Sequence, residues 1–262
     1  MRVSPSAIFV VIAMAFVSGV GIAAKSAPAA TTDSSDLPSD AERVGFVRAG
    51  DENGVMALEA TQRFELALGN GPVHGEPPPK EALGTARRVL ARELARYPKN
   101  FLHAVRLRGV VLVSTLLEGD NPIPSLPNVG GLMLLDVHGA EIDLVRAIHH
   151  EIFHFADLAD DGKLAPDPSW ESLNREGFAY GAGGRTLRST WAARPTDLAG
   201  FVSAYATSGA EEDKAETFAF AVARGDVVRA RLGSDPVLAS KMRELARRVA
   251  SLDPEAPSKL GF

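Results

Sequence analysis

His150-Glu151-Ile152-Phe153-His154 constrains this chain more than any other stretch, because it sits inside a segment whose apolar residues recur at helical spacing. Leu144, Val145, Ile148, Ile152 and Phe155 form one stripe, which demands a helix packed on a core. His150 and His154 lie on the other side, one turn apart, so both imidazoles point the same way. Two nitrogen donors so placed can share a zinc ion, and the carboxylate of Glu151 can reach a water on that ion. The chain has only six histidines, so composition alone does not supply the pair. His149 falls off the axis of the pair and is expected to be solvated or to support the ligands. Phe153 lies between the two faces and is expected to pack.

Zinc takes a third protein ligand and, at catalytic sites, leaves its fourth position to water. Asp160 is one candidate, ten residues after His150, but Asp157 stands where the related H-E-x-x-H-x-x-G-x-x-H pattern needs glycine's freedom at positive φ. Asp160-Asp161-Gly162 reads more simply as a polar helix end and a turn. Glu212 is the stronger candidate. Ser208 and Glu211 have the spacing of a capping box and predict a helix start. Glu212 and Glu216 then share one face of a helix whose Ala215, Phe218, Ala219 and Val222 pack inward. A carboxylate pair on such a helix calls for a neutralising cation, whereas a solvated acidic helix start would need none. Glu212 is expected to ligate, and Glu216 to hold a histidine ligand by its other ring nitrogen. Asp157 is grouped with Glu216 among the residues behind the ligands.

A helix carrying H-E-x-x-H followed by a distant E-x-x-x-E helix resembles the gluzincin metallopeptidases. More narrowly, Tyr205 and the run Glu212-Asp-Lys-Ala-Glu-Thr-Phe-Ala219 resemble the anthrax lethal factor-like catalytic domain and bacterial secreted zinc-dependent peptidases. Trp170-Glu-Ser-Leu-Asn174 and Gly177-Phe-Ala-Tyr-Gly181 belong to the same resemblance, which spans about Arg106 to Ala223. It implies an α+β fold: a zincin-like metalloprotease domain, with a small sheet packed on the H-E-x-x-H helix and a mainly helical C-terminal part. It implies a Zn2+ hydrolase of peptide bonds, with His150, His154 and Glu212 as ligands and Glu151 as general base. Tyr205 becomes the phenol that stabilises the oxyanion, with Tyr180 as its rival. A zinc amidase acting on cell-wall peptides would use the same residues. A non-catalytic secreted binding domain, stabilised by zinc, would instead fill the fourth position with protein, for which His138 or His149 is available.

Met1-Arg2 precedes an apolar run, Ala7 to Ala24, that ends in small residues suited to cleavage. It predicts a secretory signal, hence a secreted or periplasmic, cell-envelope protein. Its length also touches the lower limit of a membrane span, so an uncleaved anchor is the one route to a membrane. There is no cysteine, so stability must come from the core and the metal rather than from disulfides. The expected division is signal 1–24, flexible spacer 25–40, helical N-terminal region 41–98 and zinc metallopeptidase domain 99–262. Glu81 to Tyr97 predicts an amphipathic helix between prolines, Val110–Val113 and Leu132–Leu135 predict buried strands, and Asp235-Pro236 opens a last helix to about Ala250. Net charge is −5, from 28 basic and 33 acidic residues well mixed, which gives no footprint for nucleic acid. Arg87, Arg88, Arg92 and Arg96 read as a solvated helix face, and Gly181, Gly183 and Gly184 as a loop. A monomer acting on a peptide or protein is expected.

Overall fold

Asn53-Gly54 starts the sheet: their φ angles of 58° and 89° supply the two left-handed residues of a tight hairpin turn. The turn joins β1 (Phe46–Glu52) to β2 (Val55–Ala60), and a second antiparallel pair, β3 (Phe64–Leu68) and β4 (Gly71–Glu76), comes next. The computed structural model describes residues 41–68, 71–184 and 196–262; the expected signal and spacer lie outside them. Helices α1 (Lys80–Leu94) and α2 (Lys99–Ala104) lead into β5 (Gly109–Glu118), β6 (Asn121–Pro122), β7 (Ser125–Val129) and β8 (Leu132–Asp136). Among the described residues that follow, the regular elements are helices: α3 (Glu141–Asp161), α4 (Pro168–Glu171), a 3-10 turn at Tyr205–Thr207, α5 (Ala210–Ala223), α6 (Gly225–Leu232), α7 (Pro236–Leu252) and α8 (Ala256–Leu260).

The helical region expected over 41–98 is therefore corrected: it contains four strands and one long helix. Nor does a domain boundary at 98 separate it from the rest of the chain, because β2 pairs in parallel with β5. Short strands such as β2, whose parallel partner lies some fifty residues downstream, show little period of their own; the Asn53-Gly54 and Gly69-Asn70-Gly71 stretches are the local signals of the two hairpins.

β5 serves two half-sheets. Its first half lies between β2 and β8, parallel to both, with β7 on the outer side of β8; its second half pairs antiparallel with β4 and β6. The β4–β5 register shifts between His74 and Glu76, opposite the point where Thr115 adopts φ 51°. A bulge there turns the strand from one half-sheet into the other, and the β-branched Thr115 is strained by it. Alternation splits the core cleanly. Val110, Leu112, Met133 and Leu135 join the helices, while Val111, Val113, Leu132 and Leu134 fill the opposite face with Phe46, Phe64, Leu66 and Val73. Burial on both faces is why β5 and β8 read as unbroken apolar runs.

α3 is buried from Leu144 to Asp157 and stops at Gly162, which takes the left-handed cap conformation at φ 77°. It packs on β7 and β8, and α1, α5 and α7 also lie against it. α1 covers the flank that carries His149, so the expectation of a solvated His149 is corrected. Its ring is fully buried, with Nδ1 accepting from the Tyr97 hydroxyl at 2.6 Å and Nε2 donating to Glu93 at 3.0 Å. Arg92 and Arg96 also bind Glu93, at 2.6 and 3.1 Å, while their side chains stay 53% and 39% exposed. No helix among the described residues is long and apolar enough to cross a membrane.

Burial works to raise the Glu93 carboxyl, but hydrogen bonds from His149 and Arg92 bring it down to about 2. A depressed carboxyl binds fewer protons folded than unfolded, so its contribution is present above its ordinary value of 4.5 and lost as pH falls towards 2. Denaturant unfolding of metal-free Glu93→Gln against the native chain should show a deficit of about 3 kcal/mol above pH 5 that shrinks towards pH 2. A deficit independent of pH contradicts the assignment.

Candidate metal centre

α3 and α5 run in opposite senses with their polar faces interleaved. His150 and His154 stand one turn apart on α3, and Glu212 and Glu216 one turn apart on α5. His150 Nε2 lies 3.0 Å from His154 Nε2 and 3.1 Å from Glu212 Oε2; His154 Nε2 to Glu212 Oε2 is 3.7 Å. Ligand atoms of a tetrahedral zinc with bonds of ~2.0 Å stand about 3.3 Å apart. His150, His154 and Glu212 form the cluster suited to a metal ion among the described residues. All three are buried, at 1%, 7% and 5% exposure.

The donor set fits a cation. Glu212 Oε2 is buried with no hydrogen-bond partner, although it points at two ring nitrogens. Burial would drive the His150 imidazole down, yet Glu212 and Glu216 push it up to about 10. Without a metal the ring therefore keeps a second proton between the carboxylates, one that a divalent ion would displace. Glu212 itself is held well below the usual carboxylate range: burial opposes this, and the two histidines more than offset it. Arg146 neutralises Glu216, which leaves Glu151 and Glu212 as two further buried carboxylates at the centre, a charge that a divalent cation would balance.

Glu216 Oε1 lies 2.9 Å from His150 Nδ1, so the structure brings this carboxylate behind a ring nitrogen of the pair. Asp157, grouped with it on sequence, stands beside His154 and its charge acts on that ring, but it makes no hydrogen bond to it. It is paired with Lys214 at 2.7 Å and Arg248 at 3.5 Å, while His154 Nδ1 has no hydrogen-bond partner. Lys214 on α5 presents a full charge to Asp157, which a neutral imidazole N–H cannot match. Asp160 is apart from the cluster; it accepts from Ser251 at 3.1 Å. His138 is exposed and pairs with Asp136, so neither it nor His149 offers the fourth ligand of a closed site.

Glu151 follows His150 into the same space. Ser125 on β7 donates to its Oε1 at 2.6 Å, while Oε2 is buried without a partner. Tyr205 lies with its ring 6.0 Å from that of His150. Burial, then the carboxylates Glu212, Glu216 and Glu151, push its hydroxyl far above the ordinary phenol value, so it stays a donor. Tyr180 is placed differently. Its hydroxyl donates to Asp213 at 2.5 Å and accepts from Asn174 at 2.9 Å, away from the histidines.

Two local expectations change. Ser208 does not cap α5: its hydroxyl donates to the Tyr205 carbonyl at 2.7 Å, and the extended Gly209 is the N-cap. The Glu211 carboxylate instead folds back beside Gly209 and its own backbone. Gly184, on sequence only a loop residue, belongs to the centre. Gly181 and Gly183 donate to the carbonyls of Thr207 and Ser208, and this seats Gly184 so that a Cβ would stand 2.0 Å from Glu212 Oε1 and 2.3 Å from the Tyr205 hydroxyl. The glycine cluster is the available signal; the neighbours that make it matter are distant in sequence.

No protein-family model matches the chain, and no curated protein sequence matches it. Among solved structures it is similar to a “putative zinc-binding metallo-peptidase” from Bacteroides caccae ATCC 43185, at 16% identity and a TM-score of 0.47, over 69% of this chain and 74% of that one. A likeness this distant carries no functional argument, and the site stands on its own geometry.

Glu212→Gln should weaken zinc about a hundredfold or more in competition with a chelator, while Asp160→Asn should leave the affinity unchanged. The reverse would move the third ligand to Asp160. Gly184→Ala should also lose zinc, because the added methyl must displace the Glu212 carboxylate; native affinity in that variant would show that the 181–184 segment can yield.

Proposed function

We propose that this chain is an exported zinc-dependent peptidase of gluzincin type. The observation that carries the reading is the meeting of two imidazoles and one carboxylate beside Glu151, whose Oε2 is buried and unpartnered. Zinc bound there would polarise a scissile carbonyl and acidify a water. Glu151 would accept that water's proton at Oε2 and deliver it to the leaving amine, its other oxygen being held by Ser125. The Tyr205 hydroxyl, kept protonated by its surroundings, would donate to the developing oxyanion. β7 pairs on one side with β8 and with no other strand among the described residues, and its outer edge is where an extended peptide would add. The layering of β7 and β8 against α3, with helices α4 to α8 beyond, supports the zincin-like reading.

One observation favours the non-catalytic alternative: the ligands are nearly inaccessible, and Gly184 lies directly over Glu212. A closed structural site also needs a fourth protein ligand, and the described residues bring no further His, Cys, Asp or Glu to the cluster.

Metal analysis of the purified mature chain, with hydrolysis of a mixed peptide pool with and without chelator, tests the reading. One equivalent of zinc and chelator-sensitive cleavage are expected. Zinc without cleavage favours the structural alternative, and cleavage confined to cell-wall peptides favours the amidase. Glu151→Gln should abolish hydrolysis with zinc retained. Tyr205→Phe should lower kcat about a hundredfold to a thousandfold, also with zinc retained. Loss of metal in Glu151→Gln would remove its role as base. Amino-terminal sequencing of exported protein should begin near residue 25; a start at Met1 contradicts signal cleavage.

A further inference from the structure

We infer that Arg146 is a positioning residue of the metal centre, which fixes Glu216 so that His150 must turn its other ring nitrogen to the ion. The inference rests on the reading of His150, His154 and Glu212 as ligands. Arg146 stands one turn before His150 on α3 and is 5% exposed. Its guanidinium forks onto Glu216, with Nε to Oε1 at 3.1 Å and Nη2 to Oε2 at 2.5 Å. Ser203 adds its hydroxyl to Oε2 at 2.6 Å. Oε1 is left to Arg146 and to His150 Nδ1, at 2.9 Å.

A guanidinium does not give up its proton, so Glu216 in its grip remains an ionised, acceptor-only carboxylate. His150 Nδ1 must then be the donor, which turns Nε2 towards His154 and Glu212, 3.0 and 3.1 Å away. The fork also fixes the plane of the carboxylate, and through it the plane of the ring. Lysine has the charge but not the fork. The proposed reaction makes no other use of Arg146, and the spectrum of the cobalt-substituted protein separates positioning of the ring from a role in packing alone.

The test measures metal binding, with no substrate, in the full mature chain. Zinc affinity by chelator competition and the absorption spectrum of the cobalt-substituted protein are compared in native, Arg146→Lys, Glu216→Gln and Arg146→Met/Glu216→Gln. The double variant removes both charges together, so that folding does not depend on an unpaired buried carboxylate. Arg146→Lys should bind zinc about tenfold more weakly, and Glu216→Gln tenfold to a hundredfold, each with altered cobalt bands. The double variant should match Glu216→Gln within about twofold, because Arg146 acts only through that carboxylate. Native affinity and spectrum in Arg146→Lys, or a further additive loss in the double variant, overturns the inference while the centre stands. A native chain that binds no zinc overturns the centre and the inference with it.

Discussion

The interlocking of α3 with α5 is the constraint on which the rest depends. Arg146, His150 and His154 climb α3 at intervals of one turn, and Glu216 and Glu212 descend α5 between them. Carboxylates removed from water are tolerated only against cations and donors, so each rung needs the next. A shift of either helix by one turn would leave a buried charge alone. This register fixes where α3 must lie on β7 and β8, and brings Glu151 to Ser125 and Tyr205 to His150.

The same device recurs around the centre. Lys214, on α5 between Glu212 and Glu216, is buried against Asp157 and Asp167, and Arg248 of α7 joins both carboxylates. Lys241 is buried against Asp213, which also receives Trp170 Nε1 and the Tyr180 hydroxyl. The Trp170–Asn174 and Gly177–Gly181 stretches thereby acquire a physical role: their polar tips tie α4 and the following segment to α5. Such pairs add little net stability but penalise every other packing, a useful property where no disulfide fixes the chain.

What could be read in the sequence was periodic or local. The apolar stripe of α3, the doubly buried runs of β5 and β8, the proline-bounded α1 and the Asp235 cap of α7 all declare themselves within a dozen residues. Glu212 and Glu216 were legible because carboxylates on an inward-packing helix conflict with their surroundings. The four N-terminal strands were not, since β2 and β4 take their place only by pairing with β5, far along the chain, and β1 and β3 join through them. A helical wheel gives the direction of a side chain but not what meets it: Glu93 and Tyr97, more than fifty residues from His149, turned an apparently solvated ring into a buried link. Ser208 and Glu211 have the spacing of a capping box, yet tight packing under the Tyr205 turn takes the serine hydroxyl first.

Zinc K-edge X-ray absorption of the purified mature chain addresses the central claim most directly, because it counts and types the atoms around the ion. One bound zinc should show four light-atom neighbours near 2.0 Å, with the outer-shell scattering of two imidazoles and no more. An absent edge signal, or three or more imidazoles about the metal, would contradict a centre built from two histidines and a glutamate on facing helices.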